Sequence, residues 1–178
     1  VIDPKTLKPG DVICVGTHNF TGWWIRLRSL LLRKPHLQNH IAMFTHWDGD
    51  GNPRGLEGKP SSFGWVNLSK YLSHPSAVSN AGKTTFPEWE RTQIVSDAER
   101  LMGRAYDWFA ILALATELAD KDISLAEWPS EGLPSQVTCS SAMDYLYEAQ
   151  GWPNPGGTER TRVTDVDDWV EFIEKEWP

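Results

Sequence analysis

Cys139, His40 and Glu57 are the residues of this chain whose types and settings suit them to nucleophilic chemistry. A loop carrying Pro129, Gly132 and Pro134 stops just before Val137-Thr138-Cys139-Ser140-Ser141. Beyond it, Ala142, Tyr145, Leu146 and Ala149 are spaced as one apolar stripe of a helix that Gly151 is set to end. Cys139 therefore falls at or just before a first helical turn. There, unpaired backbone N–H groups and the positive end of the helix dipole favour a thiolate over a thiol. The plainer reading is a small buried hydrophobe, as most free cysteines are. A nucleophile also needs a base and a group to orient the base. A histidine near a strand start and a carboxylate on the next strand would supply both. The imidazole takes the thiol proton and later returns it to the leaving group, while the carboxylate fixes the ring's tautomer and orientation. The backbone N–H of Cys139 would serve the oxyanion.

The elements that must position these groups are short. Leu7-Lys8-Pro9-Gly10-Asp11 reads as a tight turn feeding a buried strand, Val12-Ile13-Cys14-Val15, in which Cys14 is core. His40 to Trp47, then Asp48-Gly49-Asp50-Gly51-Asn52-Pro53, then Arg54-Gly55-Leu56-Glu57 reads as strand, turn, strand. If Asp48-Gly49 forms the turn, His40 faces Glu57. If Asp50-Gly51 does, Glu57 faces Phe44, on the same side of the sheet but about 13 Å further along. Pro53 argues for a longer loop that shifts the pairing or needs a bulge. Residues 21–34 form an amphipathic pattern with Trp23, Trp24, Leu27, Leu30 and Leu31 on one face and four basic residues elsewhere. It reads as a surface helix packed on the sheet, the alternative being a helix lying on an anionic membrane. Residues 68–72 suggest a short helix, and 88–94 a strand. Ser96-Asp97-Ala98-Glu99 suggests a capping box opening a helix that Gly103 ends. Tyr106-Asp107 opens an apolar helix to about Ala119, residues 158–163 suggest a strand, and Asp165 or Asp167 caps a last helix to about Lys175. No repeat or linker is visible, and residues 1–178 read as one domain.

A chain of 178 residues suffices for one full hydrophobic core. The net charge of −7 argues against a nucleic-acid partner. Two cysteines exclude a disulfide framework and leave one Cys14–Cys139 bridge conceivable. No run of about 18 apolar residues offers a membrane span, and the N-terminal stretch has no charged region followed by an apolar one. Of the five histidines, His36, His40 and His46 are the candidates for a metal site. However, no HExxH or paired CxxC pattern appears, and Pro35 spoils a helical His36–His40 pair, so no metal and no cofactor are expected.

Four pieces of the chain together resemble the circularly permuted NlpC/P60 group of papain-like proteins. They are Leu7-Lys8-Pro9-Gly10-Asp11-Val12-Ile13, Asn39-His40-Ile41-Ala42-Met43, Leu56-Glu57-Gly58 before Val66-Asn67-Leu68, and Val137-Thr138-Cys139-Ser140. Gly103-Arg104-Ala105-Tyr106-Asp107 is similar to a segment that often precedes the cysteine region in that group. The order His, Glu, Cys is that of the permuted branch, and the likeness spans roughly residues 7 to 150. It implies an α+β, papain-like core with a helix presenting Cys139 against an antiparallel, barrel-like sheet that carries His40 and Glu57. It also implies a Cys139–His40–Glu57 triad, with Tyr106 at the substrate site. Many relatives have Gly where this chain has Ala42. The group includes amidases and peptidases of cell-wall peptides, lipid-directed acyl-transfer enzymes, and members with no demonstrated activity. The expected activity is therefore cleavage of an amide in a peptidoglycan peptide, with thiol acyl transfer on lipid and a non-catalytic binding module as alternatives. Aromatic segments such as Trp23-Trp24 and Phe63-Gly64-Trp65 would wall the groove, open and polar for a peptide, deep and apolar for an acyl chain.

Overall fold

The computed structural model describes residues 2–17, 37–107, 134, 136–155 and 166–178. The expected helix over 21–34 with Trp23, the apolar helix after Asp107 and the strand at 158–163 lie outside them, as does His36. The expected α+β class holds. An antiparallel sheet is built from β1 (Val12–Val15), β2 (His40–Trp47), β3 (Pro53–Gly58), β4 (Phe63–Asn67) and β5 (Val78–Ser79), in the order β4-β3-β2-β1-β5. The other described elements are α1 (Ser69–Leu72), α2 (Glu88–Arg100), the two-residue strands β6 (Ala105–Tyr106) and β7 (Gln136–Val137), α3 (Cys139–Ala149) and α4 (Val166–Glu176). Among the described residues no helix is long and apolar enough to cross a membrane.

Both faces of the sheet are covered, which is why its central strands read as continuous apolar runs rather than alternating ones. Val12, Cys14, Ile41, Met43 and Leu56 point to one side and meet Ile94, Ala98, Leu146, Tyr147, Trp169, Val170 and Ile173 of the three long helices. Ile13, Val15, Ala42 and Phe44 point to the other side and meet Leu68, Tyr71 and Leu72 at α1, with Leu7. The barrel-like closure expected of the sheet is not formed among the described residues. β4 and β5 are its two edges, and β5 is only two residues long. The outer side of β4 is met by the turn after α2 instead, where Phe63 N–H bonds Arg104 O at 3.0 Å and Gly103 N–H bonds Phe63 O at 2.9 Å.

Two local expectations are corrected. Residues 88–94 are helix, not strand, and Ser96 lies inside α2 rather than capping it. The spacing of Arg91, Ile94, Ala98 and Leu101, all buried, is that of one helix face. Arg91 obscures that stripe in the sequence, because its burial depends on partners far along the chain: the Asp11 carboxylate at 2.9 Å and the Pro9 carbonyl at 2.7 Å. Tyr106 itself is strand, pairing with Val137 in a parallel two-stranded ladder, and the helix expected after it lies outside the described residues. Of the two caps expected for the last helix, Asp167 sits within the first turn of α4 and Asp165 lies outside the described residues. Gly103 does follow the end of α2 with a positive φ of 78°, a conformation that glycine adopts without cost.

Candidate active site

The β2–β3 hairpin takes neither two-residue turn. Asp48 N–H bonds Asn52 O at 3.0 Å, closing a five-residue loop, 48–52, so that Trp47 faces Pro53 and His46 faces Arg54. Continued unbroken, this register would set Glu57 across from Met43, on the sheet face opposite to His40. A bulge between Phe44 and His46 adds one residue to β2, and beyond it Glu57 faces Ala42. The extra residue, Thr45, is buried and its hydroxyl donates to the Arg54 carbonyl at 2.9 Å. Glu57 is thereby returned to the face of His40, one pleat away from it. Their side chains meet, with His40 Nε2 at 2.7 Å from Glu57 Oε2. An ionised carboxylate only accepts, so Nε2 carries the proton and Nδ1 is left for the sulfur.

Cys139 is the first residue of α3. Thr138 caps that helix reciprocally with Ser141: its side chain accepts the Ser141 N–H at 3.1 Å, and Thr138 N–H donates to the Ser141 hydroxyl at 2.8 Å. This fixes where Cys139 enters the helix. β3 approaches closely from below, since a Cβ on Gly58 would stand 2.9 Å from the Cys139 nitrogen and 3.1 Å from its Cα. The Cys139 thiol is hydrogen-bonded to the His40 ring and accepts from the backbone N–H groups of Ile41 and Ser140. Cys14 is fully buried in mid-strand, both cysteines are free thiols, and burial pushes the Cys14 thiol well up.

The electrostatics favour an ion pair. Burial opposes ionisation of Cys139, but the hydrogen bond and charge of His40, with the two backbone N–H groups, outweigh it and hold the thiol below its ordinary value. Burial likewise disfavours the His40 cation, and the hydrogen bonds and charges of Cys139 and Glu57 overcome this to push the ring up to about 9. Glu57 is nine-tenths or more buried; that burial is outweighed by His40, Tyr71 and Lys59, which hold its carboxyl below the usual range. Each of the three shifts thus favours the charged form, and thiolate, imidazolium and carboxylate support one another.

Tyr106 is brought to this group: its hydroxyl is hydrogen-bonded to Cys139, and burial with the nearby thiolate charge keeps the phenol protonated. Trp65 pairs with Leu56, so its ring lies on the opposite face of the sheet from Glu57, edge-on to His46 at 5.5 Å. Trp23 lies outside the described residues. Three groups at the site were not singled out in the sequence. Tyr71 donates to Glu57 Oε2 at 2.8 Å, Lys59 Nζ stands 3.8 Å from Glu57 Oε1, and Ile41 contributes its backbone N–H. The Thr138–Ser141 spacing was a usable signal for the cap. Nothing local marks Tyr71, which reaches Glu57 because α1 folds back over the hairpin, with Leu68 N–H bonded to Pro53 O at 2.9 Å.

Among the described residues no group of three or more His, Cys, Asp or Glu side chains is placed to hold a metal ion. His46 is six residues from His40 along β2, roughly 20 Å.

No protein-family model matches the sequence, and no curated protein matches it. Among solved structures, the chain is similar in fold to the metalloprotein yiiX from Escherichia coli O157:H7, DUF1105, with a TM-score of 0.53 and 15% sequence identity. The match covers 80% of this chain and 66% of that one, so this chain spans about two thirds of its length.

Proposed function

We propose that the protein is a cysteine-nucleophile hydrolase that cleaves an amide bond through Cys139, His40 and Glu57, with a peptidoglycan peptide as substrate. The observation that carries this reading is the unbroken chain of hydrogen bonds from the Cys139 thiol to the His40 ring and on to Glu57 Oε2 at 2.7 Å. The resemblance to permuted NlpC/P60 proteins supplies the substrate class. The neighbouring fold is named a metalloprotein; the reading proposed here uses only side chains and backbone N–H groups of the described residues.

In this mechanism the thiolate attacks the amide carbonyl carbon, and the carbonyl π electrons move onto oxygen. The oxyanion is met by the Cys139 backbone N–H and the Tyr106 hydroxyl. His40 Nδ1–H protonates the amide nitrogen as the C–N bond breaks, releasing an amine and leaving a thioester on Cys139. Neutral His40 then takes a proton from water, the hydroxide adds to the thioester carbonyl, and the C–S bond breaks, returning the thiolate to Cys139 beside the imidazolium and releasing the acid product. Throughout, Glu57 holds Nε2–H, keeping the ring in one tautomer and one plane.

The test incubates the protein and a Cys139→Ala variant with purified peptidoglycan fragments and, separately, with phospholipid vesicles. New amino termini formed only by the unmutated protein are expected. Cys139-dependent deacylation of lipid with untouched peptides overturns the amidase reading, and no turnover of either substrate favours a non-catalytic module.

A further inference from the structure

We propose that Tyr71 is a positioning residue of this site, holding Glu57 through its hydroxyl so that one carboxylate oxygen stays aimed at His40. The inference rests on the catalytic reading above and extends it to a residue that touches neither sulfur nor substrate in that reading.

Glu57 Oε2 receives two donors at once, His40 Nε2–H at 2.7 Å and Tyr71 O–H at 2.8 Å. The Tyr71 ring also stands edge-on to the imidazole, with centroids 5.9 Å apart and planes at 64°. It therefore bears on both partners of the same hydrogen bond. The other carboxylate oxygen faces Lys59 Nζ at 3.8 Å, beyond hydrogen-bond length, on a side chain 37% exposed. Oε2 is thus the firmly held oxygen and Oε1 the loosely held one. Tyr71 is itself fixed: it is buried, it lies on a helix turn that follows β4 directly, and its backbone N–H bonds Leu68 O at 2.8 Å. Its hydroxyl donates to a charged acceptor, the stronger class of hydrogen bond.

Without that hydroxyl the carboxylate is free to turn toward Lys59. His40 Nε2–H then loses its acceptor for part of the time, and the imidazolium that stabilises the Cys139 thiolate is weakened. The test is the pH dependence of Cys139 alkylation by iodoacetamide, read by intact mass, which needs no substrate. Tyr71→Phe keeps the ring and removes only the hydroxyl. The expected result is an upward shift of the thiol's midpoint by about one unit, roughly tenfold less thiolate on the acid side of the profile. In a Glu57→Gln background the same substitution should change nothing further, since its effect travels through the carboxylate. A Tyr71→Phe profile superimposable on that of the unmutated protein, or an equal shift with and without Glu57, overturns the inference while leaving the nucleophile assignment intact. An ordinary midpoint near 8.5 in the unmutated protein overturns both together. Should Tyr71→Phe fail to fold, proton NMR of the unmutated protein decides: an exchange-protected Tyr71 hydroxyl resonance with a cross-peak to the His40 ring is expected, and its absence overturns the shared-oxygen arrangement.

Discussion

Replacing Glu57 by Gln is the sharpest single test of the ion pair. Gln keeps the shape and offers a carbonyl oxygen to His40 Nε2–H, but carries no charge. In the folded protein His40 rises from 6.5 to about 9, against the opposing effect of burial. That rise is about 2.5 units, or ~3.4 kcal/mol in favour of the imidazolium. The His40 side chain is only 15% exposed, so solvent screens little of this. Cys139 and Glu57 share the work, and Cys139 stays in the variant. Loss of the Glu57 charge is therefore expected to lower His40 by about 1 to 1.5 units, ~2 kcal/mol. Because His40 is the chief support of the thiolate, the Cys139 midpoint moves the opposite way, upward. Iodoacetamide alkylation followed across about pH 5 to 10 should show two steps in the unmutated protein. The first, below the ordinary thiol range, is Cys139 ionising beside the imidazolium. The second, near 9, is loss of the imidazolium proton, which frees a more reactive thiolate. In Glu57→Gln the two steps should converge. Steps that stay within about 0.3 unit of their original positions would falsify the claim that Glu57 sustains the pair, whatever the protein does to peptides.

On the proposed mechanism, Gly58→Ala should cost about a hundredfold in turnover with secondary structure preserved, because its Cβ would press on Cys139 N at 2.9 Å and displace the thiol; unchanged kcat would show that the contact relaxes harmlessly. Arg91→Met should destabilise the fold by about 3–5 kcal/mol in urea titrations, since it strands the Asp11 carboxylate, 1% exposed, without its cation; a loss below about 1 kcal/mol would mean that the pair is replaceable. The pH profile of thermal stability should have two limbs. Glu57, held below its ordinary range, contributes stability that is lost as pH falls through its depressed value, while His40 contributes in full below its ordinary 6.5 and loses its contribution as pH climbs through about 9. Both limbs should flatten in Glu57→Gln, and melting temperatures showing the same two limbs in that variant would refute the assignment.

What the sequence determined is local. The apolar run after Pro9-Gly10 suffices for β1, and the Asp-Gly-rich loop between two apolar stretches suffices for a hairpin carrying His40 and Glu57. A loop ending just before a 3.6-residue stripe suffices to set Cys139 at the start of a helix, as it stands in α3. In each case the chemistry of neighbouring residues fixes the backbone: turn residues, the side-chain period and an end signal. The separation of the two cysteines into a mid-strand core residue and a helix-start residue was legible for the same reason.

Tertiary structure alone decided how these pieces meet. The loop that actually forms would by itself have sent Glu57 to the wrong face of the sheet, and one buried residue, Thr45, bulged out of β2, reverses that. Whether a strand spends a residue on a bulge depends on what packs against its two faces, and here both are covered by elements far away in sequence. The same holds for α2, whose stripe is completed by an arginine that can be buried only because Asp11 and Pro9 wait for it across the fold. It holds most of all for the ionisation of the site. A thiol, an imidazole and a carboxyl keep their ordinary pKa values until folding removes water from them and brings their charges into contact, and the sequence encodes that distance only through the packing of the whole chain.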